Sequence, residues 1–192
     1  FDQMLFYLPL SGSTFKKVYY DALLGRAVSK FVPADDLIVP YSANSLEDAE
    51  AVIQVIKISE NELRKQQVSG FYSDIELGDP PVIENQLKET ELRLEGIAKD
   101  GQEDQYTLYE IHTDLDLEGY EDRDADGEET GIKLPYVITV AQSNQKILSI
   151  RRNYRPEEKL RKKINYFVQF KFLPGTGFYG FGLIHMIGGL TR

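Results

Sequence analysis

The sequence contains no cysteine. That excludes disulfides, thiolate zinc centres and cysteine nucleophiles. Histidine is scarce too, present only as His112 and His185. No run of 18 apolar residues occurs and no basic-then-apolar leader opens the chain, so the marks of a spanning helix and of a secretory signal are missing from these residues. Cations are outnumbered, 22 Lys and Arg against 31 Asp and Glu, for a net charge of −9. Such a chain is a poor candidate for wrapping duplex DNA, because phosphate contacts need cations. It is compatible with surrounding a path for DNA without adhering to it. No internal repeat is visible.

What is present suits a folded domain. The 192 residues are 42% apolar and 28% charged, a globular balance. The length fits one domain, or one large domain with an appendage. Its first Met is at position 4 and it closes on GGLTR, so both ends read as cuts inside a longer protein.

FDQMLFYLPLSG predicts the last turns of a helix, ended by Pro9 and Gly12. STFKKVYYD and RAVSKFV read as strands around a turn at Asp21 to Gly25. Pro33-Ala34-Asp35-Asp36 forms a second turn before LIVPY. Three strands at this spacing predict a small antiparallel sheet or barrel. Ser45 to Glu50 predicts a short helical turn, and AVIQVIKIS a strand. Ser59 and Glu62 have capping-box spacing and open a helix over ENELRKQQV, closed by Gly70. Asp79-Pro80-Pro81 is a rigid break before a second, polar helix over 83–95. YTLYEIHTDLDLE is a strand whose alternation fails near His112, which suggests a bulge. PYVITVAQ and ILSIRRNY form a hairpin around Ser143-Asn144-Gln145, and INYFVQFKFLP is the strongest strand. The expected class is α+β, mainly antiparallel β, with a small barrel-like sheet, hairpins and two or three helices. In chain order this gives a barrel part over 1–58, a helical part over 59–96 and a hairpin part over 104–192.

Three constellations carry candidate chemistry. Gly175-Thr176-Gly177-Phe178-Tyr179-Gly180 fits G-x-G-x-x-G after a strand, where glycines let backbone approach a pyrophosphate at a helix start. Pro174 and the glycines that follow oppose a helix there. The plainer reading is a loop whose Phe178, Tyr179 and Phe181 anchor into a core or a neighbouring subunit. Asp122, Asp124 and Asp126, with Gly127, fit the start of a calcium loop. The twelfth position is Lys133 rather than a bidentate Glu, and the alternative is a solvated acidic tip. Nine acids and one base lie between Asp114 and Glu129, and seven bases with two acids between Arg151 and Lys163. Arg151, Arg152 and Arg155 begin that basic stretch. The two patches suit pairing within the sheet or between subunits, and Tyr154 and Tyr166 add stacking surfaces for nucleic acid. No nucleophile frame such as G-x-S-x-G surrounds any serine, so no catalytic residue is assigned.

LPLSGSTFKKVYYDALLGRAVSKFVPADDLIVPY, ENELRKQQVSGFY, LDLEGYEDRDADGEETGIKLPYVITV and YFVQFKFLPGTGFYGFGLIHMIGGLTR, taken in that order, strongly resemble the portal proteins of short-tailed, podovirus-type phages and related prophages. The resemblance spans essentially the whole chain. It implies a fragment of the head–tail connector, a ring of usually twelve subunits through which DNA is packaged and ejected. The matching region would be mostly the β-rich wing, stopping just before the channel helices. The first strands would be the small barrel of the wing, and GFYGFGLIHMIGG the connection towards the channel. The resemblance implies a virion structural protein with no catalytic residues and no cofactor, ATP hydrolysis belonging to a separate motor. Its partners would be further copies of itself, capsid, tail-adaptor and motor proteins, and DNA passing without specific contact, with no membrane. It would reside at the portal vertex, and in the host cytoplasm during assembly. Two alternatives from other classes remain open: a calcium-stabilised β module of a surface or adhesion protein, and a nucleotide-binding enzyme fragment.

Overall fold

The computed structural model describes residues 1–21, 24–78, 105–123 and 126–188. In chain order the elements are α1 (Asp2–Ser11), β1 (Ser13–Asp21), β2 (Arg26–Pro33), a 3-10 turn (Ala34–Asp36), β3 (Leu37–Ile38), β4 (Ala51–Ser59), α2 (Glu60–Val68), β5 (Gln105–Leu115), β6 (Leu134–Ala141), β7 (Ile147–Arg152), β8 (Phe167–Lys171) and α3 (Leu183–Ile187). The fold is α+β, with mostly antiparallel strands in two sheets of order β2-β1-β8 and β3-β4-β5-β6-β7. Two compact units are formed. Phe1–Gln54, Ile111–Val137 and Arg151–Arg192 make the first, and Val55–Glu110 and Ile138–Ile150 the second. Strands β4, β5, β6 and β7 each cross from one unit to the other along the chain. The predicted helix over 83–95 and the Asp79-Pro80-Pro81 break lie outside the described residues.

The sheets are open, so the expected barrel is not formed. The reason is pairing. The strand beside β1, opposite β2, is β8, with Ser13 facing Lys171 and Lys17 facing Phe167. The 3-10 turn leads β3 away from the hairpin, and its two residues pair with Gln54 and Ile53 of β4. Three strands are also too few to close. Ser45 to Glu50 forms a turn over residues 46–48, held by the Ser45 hydroxyl on Asp48.

In the first unit, Phe15, Val32, Leu37, Val52, Phe167 and Phe178 build the core. Phe15 is completely buried, and its ring stacks on Phe178 at 5.8 Å between centroids. Leu134, Tyr136 and Tyr154 form a smaller cluster with Leu115 and Leu117 against it. Helix α1 continues through Pro9, against the expected stop there. Gly12 alone ends it, at φ +81°, with its N–H donating to the Leu8 carbonyl. A left-handed position of this kind favours glycine.

In the second unit, Ser59 is the N-cap of α2, its Oγ accepting the Glu62 N–H at 3.4 Å. Gly70, at φ +73°, closes the segment. Leu63 enters a core of Ile58, Tyr72, Leu77, Tyr106, Leu108, Ala141 and Leu148. Buried Gln67 donates to the carbonyls of Ser73 and Ile75. The turn between β6 and β7 forms where the sequence predicts it. Gln145 takes φ +56°, and Asn144 Oδ1 accepts the Lys146 N–H at 3.0 Å.

Along β5, Tyr106, Leu108 and His112 are buried. His112, a polar residue, therefore occupies an inward position where hydropathy shows a gap, and Leu115 and Leu117 pack on the Leu134 cluster instead. Among the described residues no helix is long and apolar enough to cross a membrane.

Candidate functional site

Charge meets charge in the first unit between the segment after β5 and the segment after β7. The acidic segment doubles back on itself. Arg123 and Glu129 form an isolated antiparallel bridge, and the Thr130 N–H donates to the Asp122 carbonyl at 2.9 Å. Arg123 Nη2 lies 3.4 Å from Glu129 and 3.9 Å from Glu121. Arg123 and Glu129 are well exposed, so that contact is worth about 0–1 kcal/mol. The Gly119 N–H donates to Glu121 Oε1 at 2.6 Å and holds that carboxyl below the usual carboxylate range.

Asp122 is engaged on both oxygens. Oδ1 accepts from the Arg161 guanidinium, and Oδ2 accepts from Thr130 Oγ1 at 2.7 Å. The Asp122 side chain is 14% exposed and that of Arg161 33%, so water screens this pair less than those at the tip. Arg161 also sits 5.9 Å above the Tyr154 ring. Its backbone is left-handed at φ +44°, with its N–H on the Glu158 carbonyl. A non-glycine residue there costs about 1–2 kcal/mol, which the guanidinium contacts offset. The two opposite-sign stretches of the sequence are thus joined within one chain at this pair.

Of the three expected calcium ligands, Asp122 is committed to Arg161 and Thr130, Asp124 lies outside the described residues, and Asp126 is exposed in a turn. Among the described residues no group of three or more His, Asp and Glu side chains is placed to hold a metal ion. Arg151 and Arg152 are exposed on β7, Arg152 standing 5.9 Å from the Tyr120 ring, and Arg155 is exposed in the loop beyond. Lys163 turns inward, and its ammonium donates to the carbonyls of Glu47 at 2.9 Å and Ala49 at 3.2 Å. Arg161 and Lys163, which lie further along the same basic stretch, also make organised contacts. Their signal was faint, since one basic residue in a run looks like another.

The glycine-aromatic segment is packed tightly. Phe178 is buried, and its carbonyl accepts from Gln169 Nε2 at 2.7 Å. The Tyr179 hydroxyl donates to the Leu37 carbonyl at 3.2 Å, and burial, with the nearby charge of Asp35, pushes it above the usual phenol value. Phe181 has an exposed ring, but its backbone exchanges hydrogen bonds with Leu173. Gly180 donates its N–H to Ser13 Oγ at 2.7 Å. A β-carbon on Gly180 would strike the Gly12 and Leu173 carbonyls, and one on Gly182 the Leu10 carbonyl. Gly177 has open space around it. The glycines at 12, 180 and 182 therefore allow two backbones to cross. The helix that follows, α3, spans only Leu183–Ile187 and starts beyond Gly180, unlike a dinucleotide loop that runs straight into a helix.

The histidines are taken up in structure. The His112 ring lies 5.5 Å from that of Tyr166 and 5.1 Å from that of Phe167. His185 Nδ1 accepts the Gly182 N–H at 3.1 Å. The arrangement holds backbones together and balances charge, with its organised cations around Arg161 and Lys163.

No family model matches the chain, and no curated protein matches it.

Proposed function

We propose that this chain is a wing-type region of a phage portal ring, a structural part of the head–tail connector through which DNA is packaged and ejected. The observation that carries the reading is the ordered resemblance of four long segments to podovirus-type portal proteins, which together span nearly the whole chain. An α+β fold dominated by antiparallel strands is in keeping with it. So is the use of Phe178, Tyr179 and the neighbouring glycines as packing groups. The nucleotide-binding alternative is weakened because Gly180 and Gly182 are filled by backbone. The calcium alternative is weakened because Asp122 already bonds Arg161 and Thr130.

In this reading the ring consists of copies of the full protein, and capsid, tail-adaptor and motor proteins dock on it. The chain itself supplies no catalysis, and DNA passes without specific contact. The test is the reading frame beyond Arg192. The proposal expects it to continue into long helices that line a channel. A frame leading into a repeated surface module or a nucleotide-binding domain would overturn it.

A further inference from the structure

A groove of about 340 Å³ opens in the first unit between the segment preceding β6 and the segment following β7. Four cations line it, Lys133, Lys159, Arg161 and Lys163, against two carboxylates, Asp114 and Asp122. That is a local excess of positive charge in a chain whose net charge is −9. Asp122 is matched by Arg161. Among the described residues, no carboxylate lies within ion-pair distance of Lys133, Lys159 or Lys163.

Two of the cations are fixed before any ligand arrives. Lys163 spends two of its three N–H donors on the carbonyls of Glu47 and Ala49, which are neutral acceptors and leave its charge uncompensated. Arg161 is held by Asp122, by the Tyr154 ring and by its left-handed backbone, and such strain collects at functional positions. Lys133 and Lys159 are exposed at the rim, with flexible stems that can close over an occupant. Fixed donors lower the ordering cost of binding. Clustered like charges raise the gain from bringing in an opposite one.

We propose that this groove is a binding site for a polyvalent phosphate anion. Three cations remain after the Asp122–Arg161 pair is formed, against the single carboxylate Asp114, so the site suits a ligand with more than one negative charge. Ammonium groups bind phosphate as point charges, and the volume lies within the range of small-ligand sites. Such phosphate has two sources, a free small anion or the phosphodiester backbone of a nucleic acid strand.

The test is calorimetric titration of pyrophosphate into the chain at low salt. The comparison is between the unaltered chain, a Lys133→Gln/Lys159→Gln double variant, and a Lys57→Gln/Lys65→Gln control that loses equal charge elsewhere. Both groove lysines are exposed, so the double variant should melt at the same temperature as the unaltered chain. Binding should weaken about tenfold in the double variant, as expected for loss of two exposed charge contacts, and less than about twofold in the control. Amide shifts of Leu160 and Lys163 on titration should locate the ligand in the groove. Displacement of pyrophosphate by a single-stranded oligonucleotide would identify the phosphodiester backbone as the source. Failure of the oligonucleotide to compete would identify the free anion. Absence of binding at about 10 mM pyrophosphate, a threshold near −2.7 kcal/mol, would overturn the proposal. Equal weakening in the control, or shifts confined to other residues, would overturn it as well.

Discussion

Alanine substitutions along the glycines separate a packing role from a phosphate-binding one. A β-carbon at Gly182 would sit against the Leu10 carbonyl and the Gly12 amide nitrogen, both backbone atoms that cannot rotate away. Overfilling a packed site typically costs 1–3 kcal/mol. Gly12→Ala meets the backbone of residues 180–182 and also needs a left-handed φ of +81°. The conformation adds about 1–2 kcal/mol, for a combined cost of roughly 2–5 kcal/mol. Gly177 has nothing within 4 Å, so Gly177→Ala should change stability by less than about 0.5 kcal/mol. At about 2–4 °C per kcal/mol for a chain of this size, Gly182→Ala should lower the melting temperature by roughly 2–12 °C and Gly177→Ala by almost nothing. Thermal unfolding followed by near-ultraviolet circular dichroism reads these shifts. A phosphate loop would show a different order, with Gly177 inside the motif sensitive to ligand and Gly182 outside it tolerant. A neutral Gly182→Ala, or a Gly177→Ala as costly as Gly182→Ala, would refute the crossing of backbones at Gly12, Gly180 and Gly182.

Three further outcomes follow from the same contacts. Burial raises the ionisation of both Tyr136 and Tyr179 above the ordinary phenol value. Their contribution is therefore fully present below about pH 10 and lost as pH rises through the folded values. Denaturant midpoints measured from pH 9 to 11 should fall less steeply in Tyr136→Phe. A fall as steep in Tyr136→Phe as in the unaltered chain would contradict the reading. Arg161→Ala should cost roughly 1–2 kcal/mol through the lost ion pair and ring contact. Arg161→Gly should cost less, because glycine suits φ +44°, and a glycine variant no better than alanine would rule out backbone strain. Millimolar calcium should leave the melting temperature unchanged, since Asp122 is already bonded to Arg161 and Thr130. A rise of several degrees abolished by Asp124→Ala would establish a metal site.

Much of the secondary structure was legible because local chemistry dictated it. β1, β2, β4, β6 and β7 are runs of β-branched and aromatic residues bounded by turn formers, and each stands where the sequence places it. Helix α2 was marked at both ends, by the Ser59 cap and by Gly70. Pairings between distant segments were not legible. β8 lies more than a hundred residues beyond β1 in the chain, yet takes the place beside it, and no local pattern encodes that choice. The departure of β3 from the first hairpin has the same origin, since its two residues suit either sheet. At His112 the hydropathy alternation breaks because a polar residue takes an inward position, where its ring packs on Tyr166 and Phe167. In the candidate site, the aromatic role of Phe178 could be read from its glycine-rich setting. The inward turn of Lys163 depends on carbonyls at Glu47 and Ala49, more than a hundred residues earlier.

Electron microscopy of the protein expressed from its complete reading frame tests the central claim most directly. The portal reading predicts closed rings of usually twelve subunits around a central channel, with these 192 residues forming β-rich wings on the outside. Particles that remain monomers or dimers, or that place this region anywhere but on the periphery of such a ring, would contradict it.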